Sequence, residues 1–111
     1  MVNINYDEKF RREVMQTIED GITKLWGKDV GQVIFYNFSK ETKLGKDEIV
    51  VKPELFQATL EKMFGEIGSK SVSSTIIKEI EHHFHLSKNG YQQTSSIEQA
   101  IRLAWRARER A

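Results

Sequence analysis

Apolar residues recur at steps of three and four along most of the chain, the spacing that keeps them on one face of an α-helix. Phe10, Val14, Ile18, Ile22 and Leu25 form the first such stripe, with Met15 and Trp26 at its edge. It predicts a helix over 7–26, opened by Asp7 and Glu8, acids that the helix dipole favours in a first turn, and stopped by Gly27. A second helix is predicted over 29–43, with Asp29 as its cap and Gly45 closing it. Its buried stripe is Val30, Val33, Ile34 and Phe38, with Phe35 at the margin. The β-branched and aromatic run at 33–36 also suits a strand, but it lacks hairpin signals and is flanked by helical spacing.

Residues 46–52 read as a connector, anchored by Ile49 and Val51. Pro53 suits the first turn of a third helix, 53–64, with Leu55, Phe56, Thr59, Leu60 and Met63 inside and Gly65 ending it. A fourth helix, 69–86, is predicted to be capped by Ser69 or Ser71 and striped by Val72, Ile76, Ile77, Ile80 and Phe84. A polar loop over 87–93 leads to a fifth helix, 95–110, where Ser95 and Glu98 match a capping box. The expectation is an all-α fold: one domain over 1–111, a compact bundle of about five amphipathic helices. Ile18, Ile22, Ile34, Phe38, Leu60, Met63, Ile76, Ile80 and Phe84 are its expected core.

Composition narrows the function classes. With 39% hydrophobic and 30% charged residues, the chain is too apolar for disorder. It has no cysteine, which excludes a thiolate nucleophile, a disulfide framework and Cys-ligated zinc. The first residues lack the basic and apolar regions of a secretion signal, and no run is long enough to span a bilayer, so the expected location is the cytoplasm. Net charge is +1. Residues 1–52 are neutral, with nine acids and nine bases, whereas 94–111 set four arginines against Glu98 and Glu109. The basic excess therefore belongs to the C-terminal end, and a whole-surface field for nucleic acid is absent.

Three features invite a chemical reading. The cluster His82-His83-Phe84-His85 comes first. On a helix His83 falls within the apolar stripe, partly buried, and His82 and His85 point away from it, with Glu79 one turn back. These are weak metal candidates, since the pattern is not HExxH and no third ligand is evident. The segment Gly65-Glu66-Ile67-Gly68-Ser69-Lys70-Ser71 fails as a phosphate loop, because Ser69 separates the glycine from Lys70. The fifth helix is the most informative. Ile97, Ala100, Ile101, Ala104 and Arg108 share one side, flanked by Trp105. Arg102, Arg106 and Arg110 recur every four residues on the other, a ridge about 12 Å long. Such a ridge suits phosphates or an acidic protein surface.

The central stretch resembles a known family. The run Val33-Ile34-Phe35-Tyr36, the Ile49 to Pro53 connector, Phe56 and Leu60 before Met63-Phe64-Gly65, and Ile76-Ile77 with Glu79-Ile80 are similar to the thaumarchaeal, Nitrosopumilus-type output domain of the fifth class. The likeness covers 33–86 and departs at Gly65-Glu66-Ile67-Gly68, where the family pattern sets its second glycine sooner. It implies a helical domain that stands alone or attached to archaeal signalling modules, and it carries over no catalytic residue.

The functional expectation is a non-catalytic interaction or output module with a protein partner, no cofactor and no membrane, with Arg102, Arg106 and Arg110 as the partner site. One alternative is a nucleic-acid-associated protein using the same ridge. Another is a metal- or pH-responsive protein using His82, His85 and Glu79. The apolar side of the fifth helix needs a cover, either its own domain or a second copy, and its own domain is preferred.

Overall fold

The computed structural model describes residues 6–86 and 96–110, without the side chain of Arg110. Among the described residues the chain is helical and holds no strand. Four α-helices, rather than about five, carry the fold among these residues.

Helix α1 spans Glu8–Trp26. Asp7 stands just outside it, in extended backbone, and its carboxylate accepts the Phe10 N–H at 2.8 Å. Phe10, Val14, Met15, Ile18 and Ile22 are buried. Thr17 is buried too, its hydroxyl satisfied by the Glu13 carbonyl at 2.8 Å. Leu25, assigned to the stripe by spacing, lies in the last turn of the helix and is exposed.

Helix α2, Lys28–Thr42, follows directly. Gly27 serves both ends with φ 95 and ψ 165, a conformation open essentially to glycine alone. Asp29 therefore falls inside the first turn and is not the cap. The helix stops at Lys43, in left-handed backbone, while Gly45 is extended. Its buried residues are Gly31, Ile34, Phe35 and Phe38; Val33 is 51% exposed, so the inner face is rotated toward Phe35. The connector expected over 46–52 contains a 3-10 turn, Lys46–Ile49. Ile49 and Val50 are buried and Val51 is exposed. Alternation of 49 with 51 needs an extended strand, and a helical turn gives adjacent residues the shared side.

Helix α3 runs over Pro53–His83, with Pro53 in its first turn. The boundary expected near residue 64 is a corner inside it. Gly65 alone leaves helical backbone, with φ 76 and ψ 178. No 65–68 loop forms, and neither Ser69 nor Ser71 acts as the expected cap: the buried Ser69 hydroxyl donates to the Glu66 carbonyl at 3.0 Å. The two arms face each other, as the Ser73 hydroxyl donates to the Gln57 side-chain oxygen.

The helix ends at His83 and not at Leu86. His85 takes φ 54, its N–H donates to the His82 carbonyl at 3.3 Å, and the Leu86 N–H donates to the Glu81 carbonyl at 2.8 Å. This is a Schellman closure with histidine in the position that usually holds glycine. Thr94, Ser95 and the loop at 87–93 lie outside the described residues.

Helix α4, Ile97–Arg110, is capped by Ser96, whose hydroxyl accepts the Gln99 N–H at 3.0 Å. It packs chiefly on α3, as α1 does. Ile18, Ile22, Ile34, Phe38, Leu60, Ile76 and Ile80 lie in the core as expected; Met63 and Phe84 are only partly buried at its edge.

Candidate interaction surface

The inner side of α4 is fully used. Ile97, Ala100, Ile101 and Ala104 are buried in the common core, so the helix docks on its own domain. Trp105 extends the contact, its ring 4.9 Å from Phe10 and 5.4 Å from Tyr6 in edge-to-face geometry. Burial raises the Tyr6 hydroxyl above its ordinary pKa, an effect that Arg102 partly offsets and Glu98 reinforces. Arg108 falls on this inner side. Its guanidinium donates to Glu13 of α1 and lies 5.7 Å from the Phe10 ring centre.

Glu13 also meets His83 Nε2 at 2.8 Å, so one carboxylate joins α1, the end of α3 and α4. The Arg108 hydrogen bond holds Glu13 below the usual carboxylate range; partial burial opposes this and His83 adds to it. His83 is thus an exposed residue paired with Glu13, where the helical stripe placed it among apolar neighbours.

The outer side of α4 holds the ridge. Arg102 is exposed and donates to Glu98 at 2.8 Å, the i, i+4 partner that spacing indicated. Arg106 is exposed and makes no ion pair among the described residues. Arg110 ends the helix, and its side chain lies outside the described residues.

The metal candidates do not converge. His82 ends on the last helical turn, whereas His85 has left the helix, so the side-by-side placement of a continuous helix is lost. Glu79 turns toward α1. Lys24 binds it at 3.2 Å, and it lies so close over Gly21 that a Cβ there would stand 2.8 Å from its Cγ. Among the described residues no group of three His, Asp or Glu is placed to hold a metal ion.

Sequence spacing missed a second surface. Trp26 and Phe64 stack at 6.2 Å with their planes 11° apart, which brings the α1–α2 junction to the Gly65 corner. Both rings are partly open, at 38% and 37%, and Ile67, just past the corner, is 84% exposed. The only sequence signal was an isoleucine between two glycines that belonged to no stripe. None of the described helices is long and apolar enough to cross a membrane. Comparison of the chain with protein-family models, curated proteins and solved structures gave no match.

Proposed function

We propose that the chain is a non-catalytic interaction module, an output domain of archaeal signalling, that recruits an acidic protein segment through Arg102, Arg106 and Arg110. The observation that carries this reading is the division of labour on α4. Its apolar side and Arg108 are spent inside the domain, which leaves Arg106 exposed and unpaired among the described residues beside the half-engaged Arg102. A helix fixed by its own core presents these cations without a further cost of ordering the backbone, and guanidinium forks suit carboxylates. The likeness of residues 33–86 to the archaeal output family supports the signalling context.

The test compares the parent chain with an Arg102→Gln, Arg106→Gln, Arg110→Gln variant as baits in native archaeal lysate. The variant keeps its helical circular dichroism and loses the parent's partner. A variant that retains every partner removes the ridge from the site. Titration of duplex DNA at two salt concentrations separates the nucleic-acid alternative, for which phosphate contacts give a steep salt dependence.

A further inference from the structure

We infer that the acidic surface taken by the arginine ridge belongs to a second copy of this chain, the groove between the arms of α3, so that two copies pair by charge across a two-fold axis. The inference rests on the proposed reading of the ridge and names its partner. The groove, of about 530 Å³, runs between the two arms of α3 and the start of α4. The Gln57–Ser73 hydrogen bond ties the arms together within it. Glu54, Glu61, Glu66 and Glu98 line it, all exposed, against Lys70, the one cation among its described lining residues. Of these four acids only Glu98 makes an ion pair among the described residues, with Arg102. Three carboxylates are thus left without a cation, as Arg106 is left without an acid.

Glu98 belongs to both features. It lines the groove, and it opens the row Glu98, Arg102, Arg106 along α4. Residues four apart share a helix face, so this face is acidic at one end and basic at the other, over about 12 Å. Such a face complements its own image turned by half a revolution, since each residue i that meets j is matched by j meeting i. In that antiparallel pairing Arg106 of each copy approaches Glu98 and the groove carboxylates of the other, which a guanidinium fork suits. A uniformly acidic partner satisfies the ridge and is repelled by the adjoining groove, and a uniformly basic one meets the reverse; a second copy satisfies both. Exposed ion pairs are individually weak and screened by salt, so the association is weak and lost at high ionic strength.

Sedimentation velocity on the full chain, from about 10 to about 500 μM in about 50 mM and about 500 mM salt, tests the inference. In low salt the parent's weight-average sedimentation coefficient rises with concentration toward the dimer value, and in high salt it stays at the monomer value. Two reversals at exposed positions, Glu61→Lys with Glu66→Lys and Arg102→Glu with Arg106→Glu, keep the helical circular dichroism, and each is monomeric alone. Their equimolar mixture dimerises, because every ridge then meets a groove of opposite sign. A parent that is monomeric at every concentration in low salt, a groove reversal that dimerises as well as the parent, or a mixture that stays monomeric overturns the second-copy assignment. The groove reversal leaves the ridge intact. Used as a lysate bait beside a monomeric parent, it overturns this inference alone when it still captures an acidic protein, and the proposed function then stands.

Discussion

The Ser73 hydroxyl donates to the Gln57 side-chain oxygen at 2.7 Å, and these residues stand eight positions after and eight before Gly65. That symmetry identifies Gly65 as a single-residue corner between antiparallel arms. Its φ of 76 with ψ of 178 lies where residues with a Cβ are strained, and a Cβ there would meet nothing within 4 Å. The cost of Gly65→Ala is therefore backbone strain alone, about 1–3 kcal/mol in chemical denaturation. A loss within experimental error shows that the corner relaxes to another geometry.

His85 presents the reverse case. It holds φ 54 at the end of α3, a position that favours glycine. His85→Gly relieves that strain and gives back part of it as unfolded-state entropy, for a net gain of about 0.5–1 kcal/mol. A destabilised variant indicates that the imidazole makes a contact worth more than the strain.

The two sides of α2 differ sharply. Phe38 is fully buried, against Phe56 at 5.9 Å, so Phe38→Ala costs about 3–5 kcal/mol. Val33 is half exposed, and Val33→Ala changes stability by less than about 0.5 kcal/mol. Equal losses at both positions contradict this orientation of the helix.

These contrasts mark how far the sequence could be read. The helical class, the break at Gly65, the stripes of α1 and α3 and the inward Arg108 were legible, because period 3.6 and punctuating residues are local properties. The rotation of α2 was not. Val33 and Phe35 are equally apolar in pattern, and only the packing of buried Gly31 and Phe35 decides between them. Likewise a glycine signals a break without saying whether one residue or four makes the turn. The ridge spacing was legible, whereas the Trp26–Phe64–Ile67 corner depends on contacts between elements that no periodicity encodes.

Docking of α4 is testable at Ile101, which is 1% exposed. Ile101→Ala costs about 2–5 kcal/mol if the helix belongs to the core. An unchanged melting temperature means that α4 does not contribute to the fold in solution.

Glu13 sets the acid side of the stability profile. The Arg108 hydrogen bond, opposed by burial and aided by His83, holds its folded pKa below the ordinary 4.5. A carboxylate with a depressed folded pKa contributes its full stabilisation above the ordinary value and loses it as pH falls through the folded one. Stability therefore drops as the solution is acidified below about pH 4.5, and Glu13→Gln makes that drop shallower. An equally steep acid limb in the variant assigns the effect to other carboxylates.

The Arg108–Glu13 link joins residues 95 positions apart. Phe10 and Glu13 of α1 meet Trp105 and Arg108 of α4 across that separation. That aromatic and acidic face of α1 is closed by the docking of α4. Closing so long a loop costs just a few kcal/mol of chain entropy, since the cost grows with the logarithm of length. Sequence distance is therefore a weak obstacle to the docking of α4 against α1.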